Sequence, residues 1–119
     1  MPYVDAFVIP IPKKNLKAYR KMAQAAGKVW LEYGALEFRE CAGDDLVING
    51  TPLFPRAAKA RRGETVLFSW IMYKSRADRK RINARVMKDK RILEMMNMNA
   101  MPFDLKRMVY GGFKTLVCL

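Results

Sequence analysis

One stretch constrains the fold more than any other: residues 64–73, ETVLFSWIMY. Seven of its last eight side chains are apolar or aromatic, with only Ser69 interrupting. β-Branched and aromatic residues favour a pleated strand, so the stretch reads as one. A half-buried strand alternates apolar with polar residues, and this one does not. Val66, Phe68, Trp70 and Met72 point one way; Leu67, Ser69, Ile71 and Tyr73 point the other. Each large side chain left in water forgoes roughly 1.5–3 kcal/mol. The chain must therefore cover both faces itself, or a second chain must cover one.

At 119 residues the chain is long enough for one domain, 1–119, with a real core. Its start, MPYVDAFVIPIPKKN, has no cationic segment ahead of an apolar one, which argues against a signal peptide. No apolar run approaches the roughly 20 residues of a membrane helix, so a cytoplasmic protein without a membrane partner is expected. Cys41 and Cys118 stand far apart and form no CxxC, as expected of reduced thiols buried in strands. There is no histidine. That removes the usual neutral-pH general base, any Ser-His or Cys-His nucleophile, and mixed Cys/His metal sites. Asp44-Asp45 alone is too sparse a ligand set for a hard cation, so no metal is expected. No GxGxxG or P-loop spacing occurs, and no cofactor is expected.

The net charge is +12, and residues 56–91 hold thirteen Lys and Arg against three carboxylates. Arg56, Arg61, Arg62, Arg81 and Arg85 are the candidate anion-binding residues of this region. Such a surface attracts nucleic acid or another anionic partner unless it is merely a solvated helix face and loop.

Along the chain, residues 3–9, YVDAFVI, read as a first strand that Pro10 and Pro12 end, with a carboxylate, Asp5, inside it. Residues 15–33 place Leu16, Tyr19, Ala23, Ala26, Trp30 and Tyr33 on one helical face, with Asn15 as N-cap and Gly34 just past the end. Residues 35–42 alternate as an edge strand, Leu36 and Phe38 on one side and Glu37 and Arg39 on the other. Residues 43–63 form a long connection in which Asn49-Gly50 favours a hairpin turn. After the apolar strand, Ser75 and Asp78 open a second helix, and Asp89 caps a short third. Residues 97–104 are a methionine-rich connector, and residues 106–118 the last strand. Gly111-Gly112 within that strand points to a bulge or a close backbone approach. The order β-α-β-β-α-β is the ferredoxin-like arrangement, an α+β fold with a four-stranded antiparallel sheet.

Several of these stretches also carry a resemblance. YVDAFVIPIPKKNLKAYRKMA, GKVWLEYGALEFRECAGDD, FPRAAKARRGETVLFSWIMYKSRADRKRINARVMKD and MPFDLKRMVYGGFK resemble the YbaA-like family of small bacterial proteins over nearly the whole chain. That family is similar to the dimeric α/β-barrel superfamily, in which two ferredoxin-like subunits pack sheet against sheet. The resemblance implies a homodimer. It also implies a small-molecule-binding or cofactor-independent monooxygenase-like role, because the superfamily contains such enzymes beside stress proteins and sensors.

Any enzyme here works without histidine, and the catalytic residues stay open. Asp5, Trp30, Tyr33, Trp70, Met101, Phe103 and Arg107 are the candidate pocket residues, with Ser69, Tyr73, Tyr110 and Asp104 as further polar groups. Asp5 is either a proton acceptor or a structural partner of Arg107 or a lysine. The alternative reading, nucleic-acid binding, has the basic region and the strand order in its favour. It lacks the basic-glycine-aromatic pattern of an RNA-recognition strand.

Overall fold

The apolar stretch is a ten-residue strand, and it pairs along its whole length with the first strand, Tyr3–Pro12. These two form the centre of the sheet. A computed structural model describes residues 1–97 and 101–119. Residues 98–100, within the methionine-rich connector, lie outside the described residues. The elements are β1 (Tyr3–Pro12), α1 (Leu16–Glu32), β2 (Glu37–Ala42), β3 (Val47–Ile48), β4 (Thr51–Pro52), α2 (Leu53–Ala57), β5 (Glu64–Tyr73), α3 (Arg76–Val86), α4 (Lys90–Met96) and β6 (Val109–Lys114). The four long strands make one antiparallel sheet in the order β2-β5-β1-β6, the ferredoxin-like topology. No described helix is long and apolar enough to cross a membrane.

The register assigns the two faces. Leu67, Ser69, Ile71 and Tyr73 of β5 are buried, three of them in the core clusters with α1, α3 and α4. Tyr3, Asp5, Phe7 and Ile9 of β1 pair with or beside them and share that inner face. The outer face carries Val4, Ala6 and Val8 of β1, Phe68, Trp70 and Met72 of β5, and Val109 and Phe113 of β6. Phe68 is 41% exposed, Val109 58% and Phe113 59%, so much of this apolar face is open to water in the single chain, while Val66 at its end is buried.

β1 runs through both prolines to Pro12 rather than stopping at them. Its pairing with β6 ends at Val8, so beyond that point β1 has only β5 beside it. A proline without an N–H is tolerated there. Asn15 does not cap α1 with its side chain. A 3₁₀ turn, Lys13–Asn15, already carries the chain into the helix, and the Asn15 amide donates to the Pro102 carbonyl at 2.9 Å instead. Gly34 does end the helix, at φ +114°. Ser75 and Asp89 cap α3 and α4 through their side chains. Residues 43–63 are a structured arm: the β3–β4 hairpin turns at Asn49 (φ 49°) and Gly50 (φ 77°), and α2 follows. Phe54 of α2 meets Phe68 edge-on, tying the arm to the outer face.

The last strand is shorter than expected, Val109–Lys114, because a 3₁₀ turn occupies Leu105–Arg107 and the chain leaves the sheet after Lys114. It has no bulge: the pairing with β1 is continuous. Gly112 marks a close approach instead, since a β-carbon there would clash with the Tyr3 ring and hydroxyl. Both cysteines are exposed, not buried. Cys41 alternates onto the outer face of the edge strand β2, and Cys118 lies beyond β6.

Candidate functional site

A cavity of about 480 Å³ lies between the inner face and the helices. Known small-molecule pockets span roughly 300–1,000 Å³. Its wall is mostly apolar, and six methionines contribute: Met22, Met87, Met95, Met96, Met101 and Met108. Unbranched thioether side chains adapt to irregular shapes, so this wall can follow more than one ligand outline. Phe7, Ala26, Trp30, Phe38 and Phe103 complete much of the rest.

Polar groups enter the cavity at two places. The first is centred on Asp5, which is 1% exposed. Arg79 of α3 reaches its carboxylate at 2.8 Å. The Asn83 amide and the Tyr110 hydroxyl also donate to it, at 3.3 and 3.4 Å. Asn83 in turn accepts from the Trp30 indole and the Tyr73 hydroxyl, both at 3.0 Å. Burial, then the Asp5 charge, raises the Tyr73 phenol well above its ordinary range. The Asp5 hydrogen bond holds Arg79 firmly protonated. Two sequence details allow this network. Asp5 pairs in register with Gly112, whose missing side chain leaves room over the sheet for the Arg79 guanidinium and the Tyr3 ring. Arg79, Ile82, Asn83 and Val86 also recur at helical spacing, so the polar pair rides on the same inward stripe as the buried apolar pair.

The second place lies at the β2 edge. Glu40 pairs in register with Ser69, and the Tyr19 hydroxyl of α1 donates to Glu40 Oε2 at 2.7 Å. Glu40 is exposed as a residue, but desolvation at its carboxyl end pushes that group above the usual carboxylate range, with Tyr19 and Ser69 partly offsetting it. Burial and the Glu40 charge raise the Tyr19 phenol in turn. Ser69 Oγ is buried and makes no hydrogen bond of acceptable geometry in the protein. Among the described residues, no three acid or cysteine side chains group as metal ligands would.

Of the seven pocket candidates read from sequence, Asp5, Trp30, Met101 and Phe103 line this cavity. The other three lie elsewhere. Trp70 is on the outer face, its indole donating to Glu37 at 2.9 Å. Tyr33 donates to Asp89 at 2.7 Å and ties α1 to the start of α4. Arg107 does not pair with Asp5; it forms a two-pronged ion pair with Glu64 at 2.7 and 2.8 Å. That pair holds the Glu64 carboxyl down to about 2.

Ser69, Tyr73 and Tyr110, named as further polar groups, are at the cavity wall. Glu40, Tyr19, Asn83 and Arg79 were not singled out. Glu40 shares the parity of Phe38, which is the signal that marks a charge on a core-facing row. The anion-binding candidates Arg56, Arg61, Arg62, Arg81 and Arg85 are all exposed. The first three precede β5 and the last two follow it on α3, where Arg81 reaches Asp78 at 3.4 Å.

Residues 2–105 match the family described as "Protein of unknown function (DUF1428)". The chain is 42% identical over 117 residues to the uncharacterized protein YbaA of Escherichia coli, covering 98% of each. It resembles the solved structure of a putative antibiotic biosynthesis monooxygenase from Nitrosomonas europaea. There the TM-score is 0.57 and the identity 13%, over 97% of this chain and 90% of that one. It also resembles a dimeric ferredoxin-like protein from an uncultured marine organism. That TM-score is 0.53 and the identity 12%, over 100% of this chain and 98% of that one. At such identities the likeness is one of fold.

Proposed function

From the premise that the chain belongs to the DUF1428 family and shares its YbaA relatives' sequence, we propose that it binds a small, largely apolar molecule between helices and sheet. The observation that carries this reading is the methionine-walled cavity of about 480 Å³ with polar groups at two places on its wall. A packed core closes over its apolar side chains at near-crystalline density. A cleft of this size leaves its apolar wall partly in water, and a ligand that covers the wall explains why it persists.

The catalytic form of the same reading is a monooxygenase-like reaction, the kind of role the Nitrosomonas neighbour's name suggests, run without a cofactor as the family resemblance implies. The protein's part there is to bind, orient and dehydrate a substrate. Asp5 is already engaged by Arg79, Asn83 and Tyr110, so its role is to hold the wall in shape and offer a fixed polar surface to the ligand.

The outer face supports a homodimer. Phe68, Val109 and Phe113 form an open apolar patch on a sheet face that α2 meets only through the Phe54–Phe68 contact. Sheet-to-sheet packing with a second copy removes it from water, as the marine neighbour's description as dimeric suggests.

Native mass spectrometry of freshly purified protein tests both parts together. The expected spectrum is a two-chain species carrying an added small-molecule mass that collisional activation releases. A bare one-chain species that also gains no mass from added apolar ligands would refute the reading.

A further inference from the structure

We infer that Glu40, with Tyr19 and Ser69, is a proton-accepting site for a ligand that carries an acidic hydroxyl, an enol or a phenol. The inference rests on the ligand-site reading above and adds the chemical class of the ligand and the residue that takes its proton.

Three observations carry it. The first is contact between Glu40 and Tyr19: Tyr19 occupies Glu40 Oε2 at 2.7 Å, which leaves Oε1 for a further donor. The second is Ser69. Ser69 is 2% exposed, lines the cavity, stands opposite Glu40 in register and is near enough to Glu40 and Tyr19 to influence both, yet its hydroxyl makes no hydrogen bond of acceptable geometry with either. Orphaned buried hydroxyls are costly, at about 1–3 kcal/mol, unless something satisfies them. A ligand oxygen in the cavity would do so.

The third is position. Tyr19, Ala23, Phe38 and Glu40 form a partition, because a second groove of about 510 Å³ along α1 and β2 shares them. That groove also carries Arg20, Gln24 and Lys28. Glu40 thus has the apolar cavity on one side and the groove with its cationic side chains on the other.

The step balances without any co-reactant. The ligand O–H bond breaks and its electron pair stays on the ligand oxygen. A new O–H bond forms on the Glu40 carboxylate. The Ser69 hydroxyl donates to the resulting oxyanion, and Tyr19 continues to donate to the carboxyl. The proton then leaves to water in the groove, which returns Glu40 to its charged form. Glu40 is exposed as a residue on the edge strand, and its carboxyl end is engaged by Tyr19 beside Ser69, which suits a group that takes a proton on one side and gives it to water on the other. Tyr19 of α1 contacts it, Ser69 stands beside it from β5, and Arg20, Lys28 and Cys41 line the same groove.

Two fluorescent coumarins test the assignment: umbelliferone, which has an acidic phenol, and herniarin, its methyl ether. Each is titrated into wild type, Glu40→Gln and Ser69→Ala. Wild type is expected to bind both, with umbelliferone about tenfold tighter, the worth of one charge-assisted hydrogen bond. Glu40→Gln should erase that preference, read as the ratio of the two affinities within the same variant. Ser69→Ala, a milder change that protects the test should Glu40→Gln fold poorly, should reduce the preference severalfold. The preference should also fade as acidification protonates Glu40. Equal affinities in wild type, or a preference that survives both substitutions, would overturn the inference while leaving the ligand-site reading intact. If neither coumarin binds wild type, both fall.

Discussion

The two faces of β5 differ in what they do with polar atoms. The inner set, Leu67, Ser69, Ile71 and Tyr73, is wholly buried and has carboxylates opposite it at two points, Asp5 beside Ile71 and Glu40 beside Ser69. The outer set meets polar groups only at the sheet edge, where Trp70 donates to Glu37, and leaves Phe68 in water. One strand therefore serves two ends by parity alone. Its inner side chains shape a cavity, and its outer side chains offer an apolar plane. A buried polar group is tolerated only where partners or ligands satisfy it, so the polar positions mark the side on which chemistry is expected. An exposed apolar plane marks the side expected to associate.

The strongest way to break this comparison is on the inner face. Arg79→Ala strands the Asp5 carboxylate in a buried site, and a loss of roughly 3–5 kcal/mol is expected in urea denaturation. A loss near zero would mean that water already compensates Asp5 and that the network is not the anchor of the wall. Ile71→Ala should cost roughly 2–5 kcal/mol by the same measurement, at the lower end if the cavity beside it lets the site collapse.

The corresponding outer substitution should behave differently. Phe68→Glu is expected to halve the mass seen by light scattering and to lower stability only by the contribution of the interface. If wild type is already a single chain, or if Phe68→Glu unfolds it as severely as Ile71→Ala, the division between the faces fails.

Acid sharpens the account at the first residue of β5. Arg107 holds the Glu64 carboxyl down to about 2 in the folded chain. A depressed folded value means the pair stabilises the fold above the unfolded carboxylate range and loses that contribution as pH falls toward about 2. Urea melts of wild type and Arg107→Gln should therefore differ at neutral pH and converge in strong acid. A constant gap would show that Arg107 acts through packing instead. The smallest effect belongs to Cys41→Ser, expected within about 0.5 kcal/mol because the thiol is exposed.

Much of the fold was legible because its signals are local. The run 64–73 demanded two covers, Asn49-Gly50 demanded a tight turn, and Ser75 and Asp89 demanded helix starts. Each is settled by a few neighbouring residues. Face assignment was not local: the two parities of β5 were clear, but which one meets the helices depends on register with β1. That is why Trp70 was set beside Trp30 although they lie on opposite sides of the sheet. Asp5 stood out as a carboxylate in an apolar strand. Its partner did not, because Arg79 is one of several cations on α3 and only the space over Gly112 selects it. Glu40 looked like an ordinary edge-strand charge until pairing placed it opposite Ser69.

The methionines provide the most direct test of the ligand site, because they report from both faces at once. Six line the cavity, while Met72 lies on the outer face. With methyl-labelled methionine and umbelliferone as the added ligand, the account predicts NMR shifts at Met22, Met87, Met95, Met96, Met101 and Met108, with Met72 unmoved. Shifts confined to Met72, or none at saturating ligand, would contradict it.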